Sequence, residues 1–440
     1  MNKFLIIILI FLVPAFLEAQ VGMTLDELSK KIEKYFDKEL IGDLEKQLPD
    51  AKYAIWGWDV GDFSGDGFSD IAFTVRMAGE RGKKVNVYLF ADIDGYLTNI
   101  AQFPYEYYEI PLEIGVVIRD TTCYITKKRE QFNWVMRGYR FDVGSVVLVD
   151  EFTTSKIDKY TRETYRNFQT LRGSDRFFNA SRNKPELLSQ YLTIPSYPKG
   201  RYIYKGFAKE VEANSIDFVG EGAYYWGGDA DASYNVNSTY DEEALTLVVR
   251  VNDDVVVPDK CDSCVSDYLQ IWLDTNPVGS ERLYSKEKKK FAFRKQGDTG
   301  IFAFTIRPGD FLKRRASVQL ATDDKLTIKQ QAAAQEIRAT SGVRDNGYLL
   351  KVRIPFALLG ISVPKAGEAK PIEVGCSVAL HDIDNEFRPE EKSVIATSVF
   401  KANEPASYGV LTLVPQEAWY GEAENVYLDP LLKTLTELGF

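Results

Sequence analysis

The sequence predicts a mainly β protein in two parts. An N-terminal α+β domain, a helix plus an antiparallel sheet, precedes a C-terminal antiparallel β-sandwich of jelly-roll type. Three observations carry this expectation. Apolar residues repeat at helical spacing over Thr24–Leu48, and from Tyr53 onward the repeat is two residues. Aromatic side chains, which favour sheets, are abundant, with 25 Tyr and 26 Phe among 440 residues. After Pro198 the strand-like runs are short, divided by turn residues and not alternated with amphipathic helices, as in a sandwich rather than a βαβ fold. The length also exceeds what one hydrophobic core usually organises.

Taken in order, the elements begin with a leader. Asn2 and Lys3 start the chain, Phe4 to Phe16 is apolar but for Pro14, and Leu17-Glu18-Ala19 ends on a small residue. This is the layout of a secretory signal peptide over residues 1–19, too short to span a bilayer comfortably. A secreted or periplasmic protein without membrane insertion is expected. No cysteine follows the cleavage position, which argues against a lipid anchor.

The α+β domain is placed at residues 20–155. Leu25, Leu28, Ile32, Phe36, Leu40 and Leu44 form one helical face, with Thr24 as N-cap and Glu27 completing a capping box. Strands are predicted at Asp70–Arg76, Val85–Ala91, Ile114–Arg119, Cys123–Lys127, Trp134–Phe141 and Ser145–Asp150. Residues 156–195 are charged, with mixed helical character, and are assigned to a linker that ends at Pro195, Pro198 and Gly200. The sandwich is placed at 196–415. In the tail, 416–440, Leu431, Leu432, Leu435 and Leu438 predict a short amphipathic helix.

Composition narrows the chemistry. A net charge of −10 repels nucleic acid, and the basic run Lys286–Lys290 reads as a solvated loop. The single histidine, His381, cannot build a metal triad, and neither a Gly-x-Ser-x-Gly elbow nor a His-Glu-x-x-His helix is present. The first domain is shorter than a barrel of roughly 250 residues. Catalysis is therefore not expected. Cys261 and Cys264 lie in a polar loop and predict a local disulfide in an oxidising compartment, since no second Cys or His pair offers a zinc site. Cys123 and Cys376 stand in apolar runs and read as buried thiols.

The sharpest local motif is Asp62-Phe63-Ser64-Gly65-Asp66-Gly67-Phe68-Ser69-Asp70. Asp62, Ser64, Asp66 and Asp70 are spaced to aim oxygens inward, Phe68 offers its carbonyl, and Gly67 permits the sharp turn. Acids packed so closely repel one another without a cation, so Ca²⁺ is expected here. A metal-free Asp/Gly turn is the alternative. Gly61–Asp70 resembles the calcium loop of FG-GAP repeats, although only one copy exists and a propeller is not implied.

Five separated segments carry a second resemblance: Tyr225–Ala232, Tyr240–Asp254, Asp267–Asp274, Gly347–Phe356 and Val374–Asp384. In this order they look like family 9 carbohydrate-binding modules and their DOMON-like relatives. Their physical pattern agrees: Leu245, Leu247, Val249 and Val251 alternate, as do Leu269, Ile271 and Leu273, and Asp253, Asp254, Asp382 and Asp384 follow strands at the rim. The resemblance implies an exported, non-catalytic protein binding a polysaccharide or glycan, with calcium supporting its loops. Tyr225, Trp226 and Trp272 are the candidate platforms; core packing suits Trp226 equally and is the preferred reading of Trp272. Some DOMON-like sandwiches hold haem, but every Met, including Met77 and Met136, precedes the sandwich, which leaves only His381 and lysines as axial ligands and disfavours haem. The alternative function is a structural or surface-assembly role through protein contacts.

Overall fold

The computed structural model describes residues 22–48, 53–77, 83–107, 113–130, 133–142, 144–157, 160–179, 185–200, 210–277, 284–285, 290–291, 300–364, 371–399, 405–415 and 424–425. The expected leader and the helical tail lie outside them, apart from 424–425, as does most of the Lys286–Lys290 run. The chain packs as two units that divide between Val149 and Asp150, with Glu424–Asn425 in the first. Among the described residues no helix is long and apolar enough to cross a membrane.

The first unit opens with α1 (Leu25–Ile32) and α2 (Lys38–Gln47) where one helix was expected. The Thr24–Glu27 capping box is formed as expected. The break has a local cause. Asp37 accepts hydrogen bonds from the N–H groups of Glu39 and Leu40 and so starts a second helix inside the amphipathic run. Both helices keep their apolar face: Leu28, Ile32, Phe36, Ile41 and Leu44 pack on Ile55, Ile71, Phe73 and Phe90. Those partners belong to an antiparallel meander, β1 (Tyr53–Gly61), β2 (Asp70–Met77), β3 (Lys83–Ile93) and β4 (Tyr96–Tyr107). β5 (Glu113–Arg119), β6 (Thr122–Glu130) and β7 (Asn133–Asp142) continue antiparallel, and the boundary between units falls within β8 (Ser145–Ile157). Tyr53–Gly61 and Tyr96–Tyr107 are strands the sequence reading did not single out.

Residues 156–195 correct one expectation. They form no helix among the described residues. The end of β8, β9 (Tyr160–Asn167), β10 (Arg172–Asn179) and β11 (Pro185–Pro198) make an antiparallel sheet. Alternate charged residues there pair across strands rather than along a helix. Arg162 bonds Asp175 at 2.9 Å, Thr164 bonds the same carboxylate at 2.7 Å, and Arg176 pairs with Glu163.

The second unit continues with β12 (Glu210–Ala213), β13 (Val219–Glu221), β14 (Ala232–Tyr240), β15 (Ala244–Asp253) and β16 (Tyr268–Pro277). A two-residue hairpin, β17 (Tyr284–Ser285) and β18 (Lys290–Phe291), precedes β19 (Ile301–Arg307), β20 (Ser317–Ala321), β21 (Arg338–Arg344) and β22 (Gly347–Pro355). Last come β23 (Ile372–Ile383), β24 (Lys392–Ala396) and β25 (Gly409–Leu413), while β26 (Glu424–Asn425) pairs with β4 in the first unit.

One sheet runs β21-β22-β15-β14-β12, and the other runs β20-β19-β16-β23, with β24 and β25 both on β23. These pairings are antiparallel. β11 joins the sheets through parallel pairings to β14 and β25. The alternating apolar positions share one core: Leu245, Leu247, Val249 and Val251 from one sheet meet Leu269, Ile271 and Leu273 from the other. The mainly β architecture of the sequence reading is the observed one.

Candidate functional site

At one end of the sandwich the strand ends deliver six aspartates, Asp231, Asp253, Asp254, Asp267, Asp382 and Asp384. Each arrives for a local reason. Asp231 closes the loop before β14 and accepts a hydrogen bond from the Gly227 N–H. Asp253 ends β15, where its carboxylate turns the chain by accepting from the Val255 N–H at 2.8 Å. Asp267 precedes β16 and clamps two segments, accepting from Val257 N–H at 2.7 Å and Ile383 N–H at 3.0 Å. Asp382 lies on β23 and accepts from the Ser393 hydroxyl at 3.2 Å.

Three overlapping triads result, in each of which one carboxylate oxygen per residue lies within 4.8 Å of the others: Asp231/Asp382/Asp384, Asp253/Asp267/Asp382 and Asp253/Asp254/Asp384. Asp253, Asp267 and Asp382 are at most 3% exposed. Among the described residues no Lys or Arg forms an ion pair with any of the six. Asp253 Oδ2, Asp382 Oδ1 and Asp384 Oδ1 are buried without a hydrogen-bond partner. Burying a carboxylate without a partner is costly, and crowding acids raises the cost. Burial first and the neighbouring carboxylates second push Asp382 up to about 8 and Asp253 up to about 6, and raise Asp267 well above the usual range. Asp384 is raised by the same causes.

These donors fit a hard divalent cation. The set is all oxygen, numerous enough for the six to eight ligands of Ca²⁺, and holds no His or Cys to favour a softer metal. Asp253, Asp254, Asp382 and Asp384 were legible as rim acids. Asp231 and Asp267 were not recognised as part of a metal set, because only strand pairing brings residues 231 and 267 beside 382.

The first-unit loop is built differently. Asp62 accepts from Gly67 N–H at 2.9 Å as well as from Gly65 N–H and the Ser64 hydroxyl, and Asp66 accepts from Phe68 N–H. Asp70 is fully buried and accepts from the N–H groups of Phe63, Ser64 and Asp92, while burial lifts its carboxyl to about 7. The three carboxylates do not converge to within 4.8 Å as a group, and the Phe68 side chain is exposed.

The aromatic candidates divide. Tyr225 is half-exposed, and Trp226 is partly buried on the core with its indole N–H donating to the Ala232 carbonyl at 2.7 Å. Both stand in the loop that carries Asp231. Trp272 lies on the outward face of β16, its ring 6.1 Å from that of Tyr408, and stands about 16 Å along the strand from Asp267. Tyr224, beside Tyr225, is fully exposed and was not singled out. Cys261 and Cys264 are disulfide-bonded in the loop between Asp254 and Asp267, which Arg314 ties down through Asp259 and Asp262. Cys123 and Cys376 are buried free thiols. His381 is buried, stacked on Tyr268 at 4.2 Å and bonded to Gln270, and burial pulls it down to about 3, so it is neutral.

The class defined by this geometry is a β-sandwich with an acidic, cation-ready rim. Residues 218–416 match the family model described as "Carbohydrate family 9 binding domain-like". Two solved structures of a carbohydrate binding module family 9 from Caldicellulosiruptor kristjanssonii are similar to this chain. The complex with cellotriose is 14% identical, covering 51% of this chain and 95% of that one at a TM-score of 0.31. The complex with glucose is 14% identical, covering 51% and 97% at a TM-score of 0.30. No curated protein matches.

Proposed function

We propose that this is an exported, non-catalytic glycan-binding protein whose sandwich is stabilised by calcium at the six-aspartate rim. The family match over residues 218–416 supports the glycan, and the orphaned buried oxygens of Asp253 and Asp382 support the cation. Calcium removes the repulsion among the buried acids and fixes the loops that carry them. The loop with Tyr225 and Trp226 is anchored to the same rim through Asp231, so calcium orders the nearest aromatic platform. Trp272 offers a separate platform on β16. The Asp62–Asp70 loop, with Ser64 and the Phe68 carbonyl, is a second proposed calcium position. It is the weaker one, because its carboxylates already accept backbone N–H groups.

Glycan arrays with and without chelator test the reading. Cello-oligosaccharides, the class held by one of the two similar structures, are the first probes. Calcium-dependent retention of at least one glycan is expected. No bound glycan at any calcium level would turn the assignment to the surface-assembly role, with protein rather than sugar as partner.

A further inference from the structure

The loop between β15 and β16 joins two residues of the acidic rim, Asp254 and Asp267. Its neck is bonded to the rim itself. The Val257 N–H donates to the Asp267 carboxylate at 2.7 Å, and the Asp267 N–H returns a bond to the Val257 carbonyl at 3.0 Å. Further out, the Asp259 N–H donates to the Gly309 carbonyl at 3.0 Å, and Arg314 Nε donates to the buried Asp259 carboxylate at 2.9 Å. The outermost turn is closed by a backbone hydrogen bond from Cys264 N–H to the Cys261 carbonyl, and by the disulfide between the same two residues. That turn is tied to two other loops. Asp262 pairs with Arg314, and Lys260 reaches Glu386 at 3.2 Å in the loop that follows Asp384. Both cysteines are partly exposed and flank the exposed Asp262 and Ser263, so a reductant can reach them.

We propose, on the reading that calcium occupies the rim, that this disulfide is a redox-sensitive clamp on cation binding. Asp259 and Asp262 share the Arg314 guanidinium, and the closed turn presents both to it. Reduction removes the cross-link and widens the conformations open to residues 260–265. It thereby loosens the loop that carries Asp254 at one end and Asp267 at the other. The step balances with a dithiol reductant. Its two thiols give up two electrons and two protons and become a disulfide, while Cys261 and Cys264 become thiols. Cys123 and Cys376 are buried free thiols, so the reductant has one disulfide to act on. An oxidising compartment closes the clamp and a reducing one opens it. A ring this small constrains the chain modestly, so reduction should weaken calcium binding about tenfold rather than abolish it.

Calorimetric titration of calcium into the full chain, oxidised or reduced with dithiothreitol, tests the clamp, together with a melt of each form in EDTA. Both forms should melt cooperatively and bind calcium, the reduced one about tenfold more weakly. The double variant Cys261→Ser/Cys264→Ser should match the reduced chain and ignore dithiothreitol. Equal or tighter calcium binding after reduction would overturn the clamp and leave the calcium reading standing. So would a double variant that keeps the oxidised affinity, or one that still responds to dithiothreitol. A reduced chain that no longer melts cooperatively would overturn it too, because the disulfide would then hold the fold rather than the rim. No calcium binding by the oxidised chain would remove the calcium reading itself, and the clamp with it.

Discussion

Asp382 illustrates how one side chain is asked for two incompatible things. Without a cation its buried carboxylate is a liability, and burial holds its proton to about pH 8. With a cation it becomes a ligand. The Asp382→Asn change should therefore act in opposite directions. In EDTA the variant should melt no lower than the parent, and its stabilisation by calcium should shrink, with calcium affinity reduced roughly tenfold or more. Paired thermal melts read both effects, and an unchanged calcium response would remove Asp382 from the site. Asp175 makes the contrast. Burial would raise its carboxyl, but Arg162, Thr164 and Arg166 together hold it below the ordinary range, so this acid is buried with its partners supplied by the protein. Removing one charge with Asp175→Ala should cost about 3–5 kcal/mol in denaturant unfolding. A cost below 1 kcal/mol would show that the pair contributes little.

Turns and caps position these residues. Gly347 starts β22 at φ +119°, directly across from Asn252 and next to Asp253 in space. An added Cβ there would meet the Val251 carbonyl oxygen at 2.4 Å, so the backbone at the end of β15 must shift. Gly347→Ala should destabilise the sandwich by about 1–3 kcal/mol and weaken calcium binding with it, because Asp253 moves. Denaturation and calcium titration of the same variant check whether the two losses go together. In the first unit, Thr24→Ala removes one half of a capping box and should cost about 1 kcal/mol by denaturant unfolding, with no effect on calcium. The Asp37 cap was visible as an acid followed by a helical run. It was overlooked because the apolar spacing alone fits one continuous helix as well as two.

Across the molecule the buried acids link stability to pH and, on the proposed reading, to calcium. Unfolded aspartates titrate near 3.9. In the calcium-free fold Asp253 and Asp382 keep their protons to about 6 and about 8. The folded state therefore binds more protons than the unfolded chain across that window, and stability falls as pH rises from about 4 to about 8. Calcium held by ionised carboxylates would remove most of this slope, because neither the loaded fold nor the unfolded chain then keeps those protons. The difference in melting temperature between calcium-loaded and EDTA-treated protein should widen steadily from pH 5 to pH 8. A difference that stays constant would mean that these acids do not hold the ion. The fold class and most strands of this arrangement were legible, because alternation along β15 and β16 is written in consecutive residues. The sheet at 156–195 was not. Its charged side chains satisfy one another across strands, and a strand with that composition carries no apolar period to read.

Alternation, capping residues and turn glycines are local properties, and they settled that the chain is mainly β, where its first helix begins and which faces of β15 and β16 are buried. The meeting of Asp231, Asp253, Asp267 and Asp382 is a property of strand order. Those residues come from four separate stretches, and only the pairing of β16 with β23 and of β14 with β15 brings their oxygens together. Burial, which leaves oxygens of Asp253, Asp382 and Asp384 without a partner, depends on which sheet covers which face, and so was decided by the tertiary structure alone.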